Sequence, residues 1–552
     1  MKKRWVLLFG LMLLVFMLAG CDQMEEMGIG EAQEEMTGES PLGDQEMEEI
    51  TGGEETTIRE DIPARSEESR KDRPVLELGT MYIREGNSSG DLVYVTGSHD
   101  NLRLSRESRD RYPELADSLD EYMTQSTKDV KTMIADYART YKEDSSAAEF
   151  APSGYEITDK LYVRRADRQV VSCMTMNYSF EGGAHGYYAF GGLNWDAATG
   201  KTISLDDVIA DRDLLGQRIK EELTERYPDV PFFDFMDETI DNSVQEKEEH
   251  TLNWVLEPHG ITFFFNPYDI GPYMAGAQII TLLYDNEDDL FTDSYRPEKE
   301  GFIFDLPTDT SCFVDVDHDN RADCIRVSCD QYEEEGRIEE ISVSVNKKKL
   351  TLEDTSCYRI EPKVVMTAEG NVYLYAWCSL DNDYVNMHIF DLSSGNPISL
   401  ATMDLSEGYF YTEEEGTDYP VYKTVLSDPA GMYLATRIDL LSTYDAGKIF
   451  HVENDPVPVS EESYYTIIRD LTLVTKKEIV TDMVDEEGNV TKSREKIPAG
   501  SSLKLYRSDG ASLVDVLLTD GRIARLMVND DYPQTIDGIN VEDIFEELFY
   551  AG

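Results

Sequence analysis

The spacing of apolar residues changes near residue 299, and this change limits the folds that the chain can adopt. Before it, a helix is predicted from Glu114 to about Tyr141, because apolar residues recur there at steps of three and four. A second helix is predicted at about residues 205–227, and paired strands lie between the two. After residue 299, short runs of Val, Ile, Tyr, Phe and Leu recur between Gly, Asn and Asp turns. The sequence therefore predicts an α+β domain at residues 74–298, followed by an all-β region that is sandwich- or propeller-like.

The end of the chain carries a weaker pattern that predicts a separate small domain. The turn Ile497-Pro498-Ala499-Gly500 is followed by two apolar runs, Leu503–Tyr506 and Ser512–Leu518. This arrangement resembles a small barrel of the bacterial SH3 type. We therefore expect a β-rich domain at residues 299–475 and a small β domain at residues 476–552.

The start of the chain has the layout of a secretory signal that ends in a lipobox. Basic residues at positions 2–4 precede an apolar run at positions 5–19, which is too short to cross a bilayer comfortably as a helix. Leu18-Ala19-Gly20-Cys21 matches the bacterial lipobox, in which the cysteine receives the lipid; an ordinary signal peptide with a chance cysteine is the alternative. We expect a signal peptide at residues 1–20, lipidation at Cys21, and a protein anchored by lipid to the outer face of the plasma membrane.

An acidic segment follows the lipobox. Residues 21–73 are rich in acidic residues, Gly, Gln, Met and Thr, and such a segment buries too little apolar surface to fold, so we expect a disordered tether. The whole chain has 111 acidic and 50 basic residues, which gives a formal net charge of −61. This charge excludes nucleic acid as a partner and favours metal ions or basic proteins. A charged surface that only keeps the protein soluble explains the same composition.

Four blocks of sequence between Tyr178 and Tyr284 resemble one known family. In chain order the blocks are Gly182-Gly183-Ala184-His185, Leu193-Asn194-Trp195-Asp196 with Thr199-Gly200-Lys201, Leu205-Asp206-Asp207-Val208, and Phe263–Tyr273 with Ala275-Gly276. Together they resemble the extracellular domain of the RsiV/PdaC family, which lysozyme-sensing anti-sigma factors share with peptidoglycan deacetylases. The resemblance covers about residues 74–298. It implies a module that binds lysozyme or wall glycan.

The effector parts of that family are not recognisable in this sequence. The anti-sigma factors have a cytoplasmic sigma-binding segment and a transmembrane helix, and the deacetylases have a domain with Asp and His metal ligands. We therefore predict no catalytic residues and name three candidates for ligand binding, His185, Tyr268 and Tyr273. The tyrosines can stack on sugar rings, although packing in the core is the plainer interpretation. His185 can equally be a turn residue that backbone groups satisfy.

An acidic loop at residues 315–323 is the sharpest chemical motif. Oxygen ligands at alternate positions allow one tight loop to enclose a hard cation. The candidate ligands are the carboxylates of Asp315, Asp317, Asp319 and Asp323 and the backbone carbonyl of Arg321. Asn320 stands where glycine is usual, and no glutamate occupies the twelfth position. We expect a structural calcium site, and an acidic turn without an ion is the alternative.

The seven cysteines do not indicate a zinc site, because no C-x-x-C pair or histidine cluster is present. Cys21 is assigned to the lipid, and Cys173 is predicted to be a small buried apolar residue. The sequence leaves the pairing of the other five open: Cys312, Cys324, Cys329, Cys357 and Cys378.

Taken together, these features predict a lipid-anchored extracytoplasmic protein of the cell envelope that binds or senses a ligand and is not an enzyme. The expected partner is a cationic wall-active protein such as lysozyme, or peptidoglycan itself. Two alternatives stay open. One is a peptidoglycan-modifying enzyme with an unidentified carboxylate site, and the other is a structural envelope lipoprotein. The oligomeric state does not follow from the sequence.

Overall fold

The computed structural model describes most of the chain after the expected tether. The described residues are 73–90, 92–144, 146–246, 251–287, 289–332, 336–381, 384–406, 421–452, 455–468 and 471–550. The signal peptide, Cys21 and all of the tether except its last residue therefore lie outside them. No helix in these ranges combines the length and the apolar character needed to span a membrane.

The α+β region contains eight described strands and six described helices. The strands are β1 (Leu76–Gly86), β2 (Val93–Leu104), β3 (Tyr155–Ala166), β4 (Val170–Phe180), β5 (Tyr187–Asp196), β6 (Asn253–Leu256), β7 (Gly260–Phe265) and β8 (Gln278–Leu283). The helices are α1 (Arg106–Arg111), α2 (Pro113–Glu143), α3 (Ala147–Phe150), α4 (Leu205–Val208), α5 (Arg212–Arg226) and α6 (Met236–Val244). Short 3-10 turns cover Tyr273–Ala275 and Tyr284–Asn286.

Helix α2 packs on one face of a sheet in which β1 to β5 are neighbours. Its buried residues Leu115 and Leu119 share a core with Leu102 and Val171 of the sheet. Pro113 starts the helix, where the missing N–H of proline leaves no hydrogen bond unmade. The prediction of a long helix from the three- and four-residue spacing is confirmed.

The second predicted helix is divided into α4 and α5. The side chain of Asp211 accepts hydrogen bonds from the N–H groups of Asp213 and Leu214, which starts a new helix at that point. Ile209, just before it, forms a β-bridge with Phe291. The two helices therefore meet at a sharp cap that the apolar spacing does not reveal.

The remaining three strands of this region form a second layer. β6, β7 and β8 pair antiparallel, and their apolar residues share a core with α5 and α6. Leu215 and Ile219 of α5 pack in this core with Phe263 of β7. The prediction of an α+β region is confirmed.

The rest of the chain is almost entirely β. Its strands are β9 (Phe302–Asp305), β10 (Ser311–Val314), β11 (Asp323–Tyr332), β12 (Arg337–Val345), β13 (Lys348–Leu352), β14 (Arg359–Met366), β15 (Val372–Ser379), β16 (Tyr384–Asp391), β17 (Ile398–Ser406), β18 (Val421–Thr424), β19 (Met432–Leu440), β20 (Ser442–Phe450), β21 (Tyr465–Ile467), β22 (Thr472–Val474), β23 (Ile479–Val484), β24 (Val490–Ile497), β25 (Ser502–Ser508), β26 (Leu513–Leu518), β27 (Ile523–Met527), β28 (Thr535–Ile536) and β29 (Ile539–Asn540). A short helix, α7 (Val541–Ile544), follows.

These strands form antiparallel sheets that pack face to face. Strands β10 to β13 make one sheet, and β9 with β14 to β17 makes a second, five-stranded sheet. Val343 of the first sheet and Leu374 of the second share one core. The other face of the five-stranded sheet packs on β19, where Tyr375 and Met387 share a core with Leu434. The all-β prediction is confirmed, in a layered arrangement.

The prediction of a small SH3-like barrel near the end of the chain is wrong. Strands β23 to β27 join β19 to β22 in one open nine-stranded sheet, and none of the sheets among the described residues closes into a barrel. Pairing of β21 with β25, at Tyr465 and Ser508, links the two sets of strands. The late strands therefore extend an earlier sheet, and their pairing gives hydrogen-bond partners to the backbone groups at the edge of that sheet.

Strand pairing also crosses the expected boundary near residue 298. β18 pairs antiparallel with β1, with Val421 opposite Thr80, so it becomes the sixth strand of the first sheet. The β-rich part of the chain thereby covers the edge of the α+β sheet.

Candidate functional site

The three residues predicted to bind a ligand come together in one place. We call the rings of His185, Tyr188, Tyr268 and Tyr273 the aromatic surface. The His185 ring stacks on the Tyr273 ring, with centroids 3.9 Å apart and planes 17° from parallel. The Tyr268 and Tyr188 rings lie 5.7 Å and 6.2 Å from that of Tyr273. The structure thus groups residues from two separate loops and adds Tyr188, which lies at the start of β5.

A glycine-rich loop places His185 in this surface. Gly182 and Gly183 have φ angles of 91° and 101°, a region that glycine adopts without steric cost. Gly186 lies directly against the Tyr178 ring, where an added Cβ would come within 2.4 Å of a ring carbon. The Tyr273 hydroxyl donates a hydrogen bond of 2.6 Å to the Gly186 carbonyl. The glycines therefore serve the backbone, and the loop brings His185 over Tyr273.

A tight corner after β7 holds Tyr268. The Asn266 side chain accepts a hydrogen bond from the Phe190 N–H at 2.7 Å and donates one to the Phe190 carbonyl at 3.0 Å, as a neighbouring strand would. The Asp269 carboxylate accepts from the Asn266 N–H at 2.7 Å. Tyr268 has a φ of 76°, which is unusual for a non-glycine residue, and its side chain is 56% exposed. The corner therefore keeps a strained, exposed tyrosine in a defined place.

Core packing, the plainer interpretation of the two tyrosines, is wrong for Tyr268 because its ring faces solvent. Tyr273 is half-buried, but its neighbours are the other rings of the aromatic surface. The turn interpretation of His185 is correct in part, since its Nδ1 lies 2.9 Å from the Gly186 carbonyl. That contact also fixes the ring in its stacked position.

Asp269 gives this surface a group that titrates near neutral pH. Burial raises the pKa of Asp269 to about 6, although the hydrogen bond from the Asn266 N–H acts in the opposite direction. The carboxylate therefore gains its negative charge between about pH 5 and pH 7. A partner that carries positive charge meets a more favourable surface at the upper end of that range.

Sequence reasoning missed further exposed apolar side chains next to the aromatic surface. The Phe233 N–H donates to the Ile270 carbonyl at 2.9 Å, and the Phe233 and Phe235 rings lie 5.0 Å apart. Phe235 is 51% exposed, and Met274, next to Tyr273, is 89% exposed. The run Pro231-Phe232-Phe233-Asp234-Phe235 was the available signal. Contiguous apolar groups on a surface mark interaction sites more often than chance.

The acidic loop brings three of its four predicted carboxylate ligands together. One oxygen from each of Asp315, Asp317 and Asp323 lies within 4.8 Å of the others. Asp323 is nearly buried, and burial raises its pKa, with further contributions from the negative charges of Asp317 and Asp319. The Asp319 carboxylate instead accepts from the Arg321 N–H at 2.8 Å. Three convergent hard oxygen donors fit a calcium ion better than a soft metal.

A buried ionic network joins Glu257 to Arg164 and His259, away from the exposed sites. Glu257 is fully buried, and its Oε1 accepts from the Arg164 Nε at 2.8 Å while its Oε2 lies 3.1 Å from the His259 Nε2. Burial opposes ionisation of Glu257, but the charges of Arg164 and His259 outweigh it and lower the pKa to about 2. The network connects β3 to the hairpin of β6 and β7. Because its carboxylate is fully buried, we assign the network a structural role.

One family of known proteins resembles part of the chain. Residues 206–285 match the family described as "Protein of unknown function (DUF3298)". A solved DUF3298 family member from Bacteroides fragilis is 20% identical, with a TM-score of 0.31, over 40% of this chain and 95% of its own. A solved DUF3298 family protein from Pseudomonas aeruginosa is 18% identical, with a TM-score of 0.29, over 41% of this chain and 99% of its own. Among curated proteins, none matches. The chain thus carries a DUF3298 domain at residues 206–285, and the corner that holds Tyr268 and Tyr273 lies inside it.

Proposed function

We propose that the chain is a non-catalytic binding protein of the cell envelope whose aromatic surface recognises a cationic, wall-active protein of the lysozyme type. The observation that carries the proposal is the grouping of His185, Tyr188, Tyr268 and Tyr273 at the surface of a strongly acidic protein. Peptidoglycan is the other partner that this surface could take, because sugar rings also stack on tyrosine.

The chemistry of the surface favours a basic protein. Exposed tyrosine rings attract the guanidinium and ammonium groups of Arg and Lys through their π faces. Tyrosine is also enriched among the residues that dominate binding energies at protein interfaces. The net charge of −61 attracts a basic partner over a longer distance and speeds their encounter. Long-range attraction and local ring contacts therefore act on the same class of partner.

The family resemblance supports the same partner. The DUF3298 match at residues 206–285 includes the fourth of the four blocks that resemble the RsiV/PdaC extracellular domain, and all of the third except Leu205. In the lysozyme-sensing members of that family, this domain is the part that binds lysozyme. Membership of the RsiV/PdaC family is part of our proposal.

Anchoring by lipid is proposed from the lipobox alone. Lipid attached to Cys21 would hold the binding region on the outer face of the plasma membrane, and two acyl chains would make that attachment stable. Growth of the source bacterium with labelled palmitate should label the protein. Cys21→Ser should remove the label and release the protein from membranes, and label that persists in this variant would contradict the assignment.

The acidic loop is proposed to hold a structural calcium ion. Asp315, Asp317 and Asp323 would provide carboxylate oxygens, and the ion would offset the repulsion among them. The Asn286 side chain donates to the Asn320 carbonyl at 2.8 Å, which ties the loop to the α+β region. An ion in this loop would therefore stabilise the junction of the two regions.

Calorimetric titration with lysozyme over a series of salt concentrations tests the main proposal. A basic protein of similar charge, such as cytochrome c, is the control, because any basic protein will bind weakly at low ionic strength. We expect lysozyme binding to saturate and to persist near 0.5 M salt, where screening leaves only close contacts. Binding that fades with salt equally for both proteins would contradict a lysozyme-recognising surface.

A further inference from the structure

The five cysteines of the β-rich region, whose pairing the sequence leaves open, do not share one environment. On the antiparallel strands β10 and β11, Cys312 lies opposite Ile325, and Cys324 lies opposite Phe313. Because successive residues of a strand point to opposite faces of its sheet, the thiols of Cys312 and Cys324 lie on opposite faces. These two cysteines are therefore not placed to bond to each other.

Cys357 and Cys378 lie together in the core between the four-stranded and the five-stranded sheet. Both are 0% exposed, and a hydrogen bond joins their thiols. Cys329 of β11 packs against the same core, but it is half-buried. Among the cysteines that the structure describes, Cys357 and Cys378 are the one pair with a hydrogen bond between the two thiols.

Backbone hydrogen bonds fix the position of both cysteines. The Ile338 N–H of β12 donates to the Cys357 carbonyl at 2.7 Å, and the Cys357 N–H donates to the Ile338 carbonyl at 3.1 Å. The next residue, Tyr358, donates its N–H to the Ser379 carbonyl at 2.9 Å, directly after Cys378 on β15. The segment that carries Cys357 therefore contacts both sheets, through β12 and through β15.

The two thiols differ in acidity. The hydrogen bond from Cys378 holds the pKa of the Cys357 thiol below its usual value, although burial acts in the opposite direction. The same hydrogen bond, together with burial, raises the pKa of the Cys378 thiol. Because the thiolate is the reactive form of cysteine in disulfide exchange, Cys357 is the nucleophile of the pair.

We propose that Cys357 and Cys378 are a site of covalent modification, at which a disulfide forms by exchange with a small disulfide such as oxidised glutathione. The Cys357 thiolate attacks a sulfur of oxidised glutathione, which forms a mixed disulfide and releases one glutathione thiolate. Cys378 then loses its proton and attacks the Cys357 sulfur, which forms the Cys357–Cys378 bond and releases the second glutathione. Two protein thiols are thereby oxidised, and one glutathione disulfide is reduced to two thiols that take up the two protons.

Burial of the two thiols determines when this exchange takes place. The exchange belongs to folding, before the two sheets close over the pair, because neither thiol is exposed afterwards. The two cysteines are close in the sequence, and closing a short loop costs less chain entropy than closing a long one. The bond would then tie the segment that pairs with β12 to β15. The inference concerns the purified chain and does not depend on the lipid anchor or on the partner of the aromatic surface.

Refolding of the full chain in detergent, in a buffer of reduced and oxidised glutathione, tests this inference. N-ethylmaleimide blocks the thiols that remain free. Trypsin, which cleaves after Lys and Arg, then places Cys329, Cys357 and Cys378 in the separate peptides 327–337, 350–359 and 364–423. We expect mass spectrometry of the monomeric chain to find peptides 350–359 and 364–423 joined, with two hydrogen atoms fewer than the two reduced peptides together.

Two variants with the same change separate the pair from the neighbouring thiol. Cys378→Ala should leave Cys357 free, so that N-ethylmaleimide labels it. Cys329→Ala should give the joined peptides in the same yield as the parent. The bond should also raise the melting temperature of the parent and of Cys329→Ala relative to the same chains after reduction, and this difference should be absent in Cys378→Ala.

Two results would overturn the inference. One is that the refolded parent, with the circular dichroism of the native protein, carries N-ethylmaleimide on both Cys357 and Cys378, which would make them ordinary apolar residues of the core. The other is that either cysteine is joined to a different cysteine, such as Cys329. If Cys378→Ala does not fold, the peptides of the parent and of Cys329→Ala still decide.

Discussion

Tyrosine side chains on strand β15 of the β-rich region and in the corner after β7 of the α+β region lie in opposite environments. On β15, Tyr373 and Tyr375 point to the same layer of buried residues and are 3% and 0% exposed. In the corner after β7, Tyr268 is 56% exposed, and backbone hydrogen bonds of the corner hold it there. A tyrosine in a packed sheet contributes to stability, whereas a tyrosine on a braced loop is available to a partner. The same residue type therefore has different roles, and only its surroundings separate them.

The largest effect is expected from removing a ring of the packed sheet. Tyr375→Ala should lower the free energy of unfolding by about 3–5 kcal/mol, because it leaves a cavity and the Pro456 carbonyl loses the hydrogen bond from the hydroxyl. Tyr268→Ala should change the same quantity by less than about 0.5 kcal/mol. Urea unfolding followed by fluorescence measures both. An equal loss of unfolding free energy in the two variants would contradict the view that Tyr375 stabilises the fold and Tyr268 does not.

A calcium ion should stabilise the β-rich region more than the aromatic surface. With the ion present at about 100 times its dissociation constant, an excess of chelator should lower the free energy of unfolding by about 2.7 kcal/mol. Hydrogen exchange should then increase around residues 311–345, with little change at residues 185–190.

Asp317→Asn provides the matched variant for this prediction. It should be less stable than the parent in calcium and should respond little to chelator, because one of the three convergent carboxylates is lost. A parent protein whose stability is the same with and without chelator would show that the loop is an acidic turn.

Removing a ring of the aromatic surface should affect binding rather than stability. Tyr273→Ala should weaken lysozyme binding about tenfold or more, which corresponds to about 1.4 kcal/mol, because the His185 ring loses its stacking partner as well. Tyr550→Ala, at a half-exposed tyrosine elsewhere, is the control. Calorimetric titration at 0.15 M salt measures both. An equal loss of affinity in the control would mean that Tyr273 has no specific role in binding.

The smallest effect concerns the pH dependence of stability. Asp269 has a pKa of about 6 in the folded protein, above the value of about 4 in an unfolded chain. The folded state therefore holds the proton more tightly, and its stability falls as pH rises from about 4 to 6. Asp269→Asn should remove this fall and should therefore be more stable than the parent at pH 7.

Unfolding by urea at pH 4, 5, 6 and 7 measures this dependence. Asp530→Asn makes the same change at an exposed position and should leave the profile of the parent unchanged. If the parent and Asp269→Asn have parallel profiles, burial does not perturb this carboxyl group.

Much of the fold follows from local patterns. The long helix α2 was predicted to within two residues at each end, because its apolar spacing and its proline act within single turns. The division between α4 and α5 was not predicted, because it depends on the Asp211 cap and on a bridge from Ile209 to Phe291. The prediction of a small barrel was wrong for a related reason, since β25 also pairs with β21 and β22, which lie before Ile479.

The candidate sites also contain some features that the sequence predicted and others that depend on the folded structure. The acidic loop was predicted from the sequence because its candidate ligands lie within nine consecutive residues. The sequence did not predict that the Asp319 carboxylate accepts a hydrogen bond from the Arg321 N–H and does not join the other three carboxylates. His185 and Tyr273 were named separately, but their stacking depends on two loops that meet only in the folded protein.

The sequence by itself determined the order of the regions, the acidic charge and the residue types of the loops. Tertiary structure alone decided that His185 meets Tyr273 and that β18 completes the first sheet. The physical reason is the range of the interactions. Helical periodicity, caps and turns depend on neighbours along the chain, whereas the pairing of distant strands depends on which edges and apolar faces remain unpaired once the local elements have formed.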